Sequence, residues 1–226
     1  MKEWILGIDD AGRGPVMGPM ILAGCLIEKT LEKELKQLGV KDSKQITPKR
    51  REFLNEKIRE KAEAFEISVC FPEEIDSQNG EGIKLNELEA IHIAAIINKI
   101  NKGYGKIKVV VDCPSPSIAK WSDYLRSKIK SLSNIELVCE HKADRNHLAV
   151  GAASILAKSI REKEMTKLKK IYGEEIGSGY TSDPSTIRFL EKYAAKHQNT
   201  GLFRKTWITW KKAFDNLSQQ TLGCLL

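Results

Sequence analysis

The chain has 226 residues, with 37 Lys and Arg against 30 Asp and Glu, a formal net charge of +7 and a pI near 9.1. That length makes one large domain, or one domain with a small appendage, and 41% hydrophobic residues are enough for a buried core, which excludes a disordered chain. No apolar run approaches the roughly 20 residues that span a bilayer, and no signal-peptide core precedes Asp9, so the expectation is a cytoplasmic protein without a membrane partner. Cys25, Cys70, Cys113, Cys139 and Cys224 are scattered with no Cys-x-x-Cys pair, which argues against structural zinc and a disulfide framework. The basic surplus favours a polyanionic partner.

Residues 4–8 read as an apolar strand and residues 20–27 as a second one, long enough to be buried. The acidic, glycine-rich stretch between them falls at, or just before, the turn of an antiparallel hairpin. Thr47-Pro48, an N-cap followed by proline, opens a helix over 49–64 with Phe53, Leu54, Ile58 and Ala62 on one face. Residues 65–71 alternate as a strand, and 85–100 form a strongly apolar helix. A strand over 106–111 ends at Asp112, with Pro114 and Pro116 punctuating the loop beyond it. A helix over 118–129 and a short strand over 135–139 follow, and helical patterns then fill 146–172, 184–197 and 204–217. Strands early and helices late, with helical crossovers between the middle strands, predict an α/β core with a helical C-terminal portion.

Four carboxylates fall where apolar strands or short loops run out: Asp9 and Asp10 after the first strand, Asp112 after a later one, and Asp144 at a helix start. In a mixed sheet the ends of neighbouring strands converge on one pocket. Carboxylates gathered there repel and raise one another's pKa values. A divalent metal relieves that repulsion, and all-oxygen ligands select Mg²⁺ or Mn²⁺ over zinc. Two such ions about 3.5–4 Å apart activate a water and stabilise a leaving oxygen in phosphodiester hydrolysis. Taken singly, Asp144 also reads as a helix N-cap and Asp112 as a turn residue. Asp9 and Asp10 are harder to read that way, because adjacent like charges at a strand end are costly without a ligand.

The stretch Gly7-Ile8-Asp9-Asp10-Ala11-Gly12-Arg13-Gly14-Pro15, then Gly18-Pro19, resembles the opening signature of the ribonuclease HII (type 2 ribonuclease H) family. Further elements follow in the family's order: Lys41-Asp42-Ser43-Lys44, Asp112, His141-Lys142-Ala143-Asp144, and Ala152-Ala153-Ser154-Ile155-Leu156-Ala157-Lys158. The last two are Gly177-Ser178-Gly179-Tyr180-Thr181-Ser182-Asp183-Pro184, most similar to the archaeal branch, and an Arg204-x-x-Trp207 element. The resemblance covers nearly the whole chain. It implies an RNase H-like mixed β-sheet flanked by helices over 1–175, a helical C-terminal extension over 176–217, and a tail over 218–226. It also implies metal-dependent endonucleolytic cleavage of the RNA strand of RNA–DNA hybrids, leaving 3′-hydroxyl and 5′-phosphate ends. Incision 5′ of single ribonucleotides embedded in duplex DNA is implied as well.

Residue by residue, the resemblance puts Asp9, Asp10, Asp112 and Asp144 at the metal-carboxylate positions. Gly12-Arg13-Gly14 would recognise the 2′-hydroxyl through backbone groups, a close approach that requires glycine. Tyr180 would stack on the sugar beyond the junction, and Ser43, Lys44, Ser154 and Lys158 would contact phosphates. One departure stands out: Asp10 occupies a position where the family usually has Glu, so that carboxylate is one methylene shorter. Read alone, Tyr180 fits packing as well as function, and Ala153 and Ile155 fit a helix core.

Other readings differ in what they lack or rest on. The ribonuclease HIII family carries a glycine-threonine loop in place of Gly12-Arg13-Gly14. A junction resolvase or another RNase H-like nuclease shares acidic strand ends, but not Gly12-Arg13-Gly14 with Tyr180. A nucleic-acid-binding module with a weakened catalytic site rests on Asp10 alone. In the tail, Gln219-x-x-Leu222-x-x-Leu225-Leu226 resembles the short peptide that docks replication and repair enzymes on the sliding clamp, with leucines where two aromatic residues normally stand. The alternative for that segment is a terminus frayed or folded back on the domain.

Overall fold

The computed structural model describes residues 2–40 and 46–223, with side chains as far as residue 219. Five strands form one mixed sheet: β1 (Trp4–Ala11), β2 (Met20–Glu28), β3 (Ala64–Cys70), β4 (Ile107–Asp112) and β5 (Ile135–Glu140). Their order is β3-β2-β1-β4-β5, with β1 antiparallel to β2 and parallel to β4, and β4 parallel to β5. The helices are α1 (Glu32–Gln37), α2 (Pro48–Lys61), α3 (Pro72–Gly80), α4 (Leu85–Ile100), α5 (Ile118–Lys128), α6 (Ala143–Asn146), α7 (Leu148–Tyr172), α8 (Pro184–Tyr193) and α9 (Ile208–Gly223). The expected α/β class and the hairpin are both present. No helix among the described residues is long and apolar enough to cross a membrane.

The chain forms two compact units. One comprises Met1–Ala11, Ile21–Val69 and Lys84–Ile160, and the other Gly12–Met20, Cys70–Ile83 and Arg161–Leu226. In the first, β2 is buried along its whole length except Glu28, so its run of apolar residues belongs to a strand covered on both faces. Ala149, Val150, Ala152, Ala153, Ile155 and Leu156 of α7 pack with Ile5, Ile21, Ala23 and Val110 of the sheet. The helix meets β1 at Gly7, where a Cβ would lie 2.1 Å from the carbonyl carbon of Ala149, so only glycine lets the two backbones approach. In the second unit, Met17, Met165, Ile176, Phe189, Leu190, Leu202, Phe203 and Trp210 form a separate core.

Several boundaries differ from the sequence reading. β1 does not stop at residue 8: the ladder continues through Asp9 opposite Ala23, Asp10 opposite Leu22 and Ala11 opposite Ile21, so both aspartates lie within the strand. α1 and α3 have no counterpart in the reading, because α1 buries only Leu35 and α3 only Pro72 and Ile75, too few for a helical period. The helix expected over 146–172 is α7, starting at Leu148, and the short α6 precedes it across His147, whose backbone is extended. α9 runs on to Gly223, so residues 218–223 of the expected tail continue the helix.

Candidate active site

β1 delivers Asp9 and Asp10 side by side, Asp9 buried and Asp10 half-buried, as successive residues of a strand point to opposite faces. The Asp10 amide donates to Asp9 Oδ1 at 2.8 Å. Asp112 ends β4, the parallel neighbour of β1, and Asp144 is buried as the second residue of α6. Burial, above all, pushes the Asp9 carboxyl well above the usual carboxylate range. The charges of Asp10 and Asp112 add to that, while the Ser154 hydroxyl and the Asp10 amide oppose it. Asp112 is raised as well, by burial first and then by the Asp144 charge, against the amides of Ala143 and Lys142 and the charge of His141. Asp10, Asp9, Asp112 and Asp144 thus form one chain of interacting charges.

The support beneath Asp112 lay outside the sequence reading. Lys142 is the one non-glycine residue with a left-handed backbone among the described residues, at φ 59° and ψ 35°. That conformation turns successive amides into a concave pair of donors, and the Ala143 amide reaches Asp112 Oδ1 at 3.0 Å. Ser154, on α7, is fully buried, and although its hydroxyl lowers the Asp9 pKa it completes no hydrogen bond of normal geometry. Lys158 follows one helical turn later on the same face and is half-buried.

No three of the four carboxylates bring oxygens all within 4.8 Å of one another. The donor set nonetheless suits a hard divalent cation: it is all oxygen, two of its members hold protons unusually tightly, and a buried hydroxyl beside Asp9 is unsatisfied.

The second unit holds the glycine loop. Gly12 has φ +82°, a conformation favouring glycine, and a Cβ there would lie 2.5 Å from Arg161 Cδ. Arg161, buried on α7 and not singled out from the sequence, donates to the carbonyls of Pro19 and Met17. Its guanidinium lies 5.7 Å from the centre of the Tyr180 ring. Its only sequence signal is its place one turn beyond Ala157 on an otherwise buried face. Gly14 is exposed beside Tyr180, with 3.9 Å between a built Cβ and Cε1, and Tyr180 itself is 41% exposed. The Val16 amide bonds the Gly179 carbonyl at 2.9 Å.

The segment bearing Tyr180 is anchored by α8. Asp183 caps that helix through the Ser185 amide at 2.9 Å and also accepts the Ser178 amide at 2.7 Å. The Ser178 groups, then the Ser185 amide, hold its carboxyl below the usual range. Buried Thr186 accepts the Gly179 amide and donates to the Ile176 carbonyl, each at 2.9 Å. Ser43, Lys44, Leu225 and Leu226 lie outside the described residues. Gln219 is exposed on α9, and Leu222 lies three residues further along that helix.

A family model described as ribonuclease HII matches residues 6–210. The ribonuclease HII of Methanocaldococcus jannaschii is 41% identical, over 96% of this chain and 98% of that protein. That of Thermococcus onnurineus is also 41% identical, over 96% and 92%. The crystal structure of ribonuclease H2 from Pyrococcus horikoshii OT3 aligns with a TM-score of 0.84 at 35% identity, over 94% of this chain and 98% of that one. The ribonuclease HII solved in complex with PCNA from Archaeoglobus fulgidus aligns with a TM-score of 0.78 at 35% identity, over 90% and 94%. Sequence and fold agree over nearly the full length, including the strands β1 and β4 and the helix α6 that carry the four aspartates, and the chain therefore belongs to the ribonuclease HII family and is a ribonuclease H.

Proposed function

We propose that this ribonuclease H cleaves the RNA strand of RNA–DNA hybrids and incises 5′ of a single ribonucleotide embedded in duplex DNA, leaving 3′-hydroxyl and 5′-phosphate ends. The observation that carries the reading is the set of interacting charges Asp10, Asp9, Asp112 and Asp144, with Asp9 and Asp112 raised first by burial, in a chain whose strand β1 passes directly into Gly12-Arg13-Gly14. The four aspartates would hold Mg²⁺ or Mn²⁺ as a two-ion site. When bound, the ions supply the Lewis acidity that activates water and stabilises the leaving oxygen.

The chain's own residues do the rest. Asp9 and Asp112, both raised, would have to be deprotonated to hold a cation, so cation binding would strengthen as pH rises. The exposed backbone at Gly14 would let amides of the loop reach a ribose 2′-hydroxyl, and Tyr180 would lay its ring on the adjoining sugar. Ser43, Lys44 and Lys158 would meet phosphates, whereas Ser154, expected to do so from the sequence, is fully buried and acts on Asp9 instead.

The test is a duplex DNA carrying one ribonucleotide, incubated with Mg²⁺ or Mn²⁺, with the cut mapped and its ends identified. Cleavage only 5′ of the ribonucleotide is expected. Equal cutting of the all-DNA duplex, or cutting at a four-way junction instead, overturns the reading.

The Archaeoglobus fulgidus relative was solved with PCNA, which supports a sliding clamp as partner here too, engaged by Gln219, Leu222, Leu225 and Leu226. A cytoplasmic location is part of the same proposal. Titration of the cognate clamp with the full chain, and with the chain truncated after residue 217, tests this docking. Equal binding by both removes the tail from it.

A further inference from the structure

Arg204 is fully buried, and its guanidinium donates to carbonyl groups of the glycine loop. Nη2 donates to Gly12 O at 2.6 Å and to Gly18 O at 2.9 Å, Nη1 to Arg13 O at 2.7 Å, and Nε to Gly18 O at 3.1 Å. Three residues on, Trp207 Nε1 donates to Gly14 O at 3.2 Å, and the Trp207 ring centre lies 5.0 Å from Arg204 Cζ. Three consecutive carbonyls, those of residues 12, 13 and 14, are therefore drawn toward one Arg–Trp pair.

In a trans peptide the carbonyl of one residue and the amide N–H of the next point in opposite directions. No cis peptide occurs among the described residues. Drawing in the carbonyls of Gly12 and Arg13 therefore aims the amides of Arg13 and Gly14 away from the buried guanidinium. The third peptide adds no donor, since Pro15 has no N–H. Attachment of the loop does not depend on Arg204 alone, because Arg161 takes the carbonyls of Met17 and Pro19. A guanidinium is costly to bury unless its donors are satisfied. What this one adds is direction, imposed on two adjacent peptide planes at once.

We propose that Arg204, seconded by Trp207, is a positioning residue that sets how sharply the enzyme separates ribose from other sugars at the cleavage site. It touches no substrate and acts by fixing the aim of the Arg13 and Gly14 amides. The proposal rests on the reading that the loop over 12–14 meets the 2′-hydroxyl.

The test compares kcat on duplex DNA carrying one ribonucleotide with kcat on the same duplex carrying a 2′-fluoro-2′-deoxy residue at that place, for the full-length wild type, Arg204→Lys and Trp207→Phe. Lysine keeps the charge but loses the planar fork, and phenylalanine keeps the ring but loses a single N–H. The ratio of the two rates should shrink about tenfold in Arg204→Lys and about threefold in Trp207→Phe, with KM for the ribonucleotide duplex changing less than about threefold. A residue that merely holds the fold lowers both rates together, so an unchanged ratio in the variants overturns the proposal. If Arg204→Lys fails to melt cooperatively, Trp207→Phe decides alone. If the wild type itself cuts both substrates equally, the 2′-hydroxyl reading of the loop fails and takes this proposal with it.

Discussion

Asp10 presents a carboxylate one methylene shorter than a glutamate would, and the consequence for the proposed ion site is a matter of reach. Mg²⁺ demands near-ideal octahedral geometry, whereas Mn²⁺ tolerates a ligand set slightly out of place. Asp10→Glu is therefore expected to raise the Mg²⁺-supported rate relative to the Mn²⁺-supported one, as read from kcat with each ion. Identical ratios in the two proteins would refute this. Asp9 makes a prediction about stability. Its folded-state pKa lies above its unfolded value, so between those two values the folded chain binds more protons than the unfolded one. The stabilisation from protonated Asp9 is full below the unfolded pKa and is lost as pH rises through the folded one. Above the unfolded pKa the metal-free protein therefore holds Asp9 at a cost. Asp9→Asn should raise the Tm of EDTA-treated protein at pH 7, by about 2–4 °C for each kcal/mol relieved. The same variant should lose any Tm gain from Mg²⁺ or Mn²⁺ and retain less than about a tenth of the wild-type rate, a deficit above ~1.4 kcal/mol. The aspartates were legible because apolar runs end beside them. Lys142 was not, since nothing in a lysine signals a left-handed backbone, the conformation from which the next amide, that of Ala143, reaches Asp112.

Among the elements, the segment before α8 shows how a helix start can place a distant ring. Thr186 joins the Gly179 amide and the Ile176 carbonyl through one hydroxyl. Thr186→Val keeps the shape and leaves both groups unpaired in a buried place, at a cost of about 1–3 kcal/mol. Urea unfolding should show that loss, and cleavage at a single ribonucleotide should fall more than hybrid affinity does, as it should in Tyr180→Ala. Equal loss of rate and affinity in Tyr180→Ala would assign that ring to packing. Strongly periodic elements such as α4, and the β1–β2 hairpin with its apolar runs, were readable directly. α1 and α3 were not, because tertiary contacts of one or two residues hold otherwise polar helices. The polar residues after Leu217 suggested a tail, yet Ser218 bonds its hydroxyl to the Phe214 carbonyl one turn back at 2.9 Å, a pairing compatible with continued helix.

For the whole molecule, the charge of +7 belongs to association rather than to folding. Affinity for an RNA–DNA hybrid should fall steeply and log-linearly as salt rises from 50 to 200 mM, while kcat at saturating substrate stays nearly flat. A salt-independent Kd would place recognition on uncharged contacts. Overall class was legible because it follows from the alternation of strands and helices. The two interleaved units were not, because composition along the chain carries no mark where it passes from one to the other and back. The bond between Gly12 and Arg204 spans 192 residues, and that separation sets an order of events during synthesis. At ribosomal speeds of ~5–20 residues per second, about 10–40 s pass between the appearance of the loop and that of the side chain that orients it. All four aspartates are translated before that side chain appears. A message broken before codon 204 would therefore encode the acids that cut without the arginine that aims the reader.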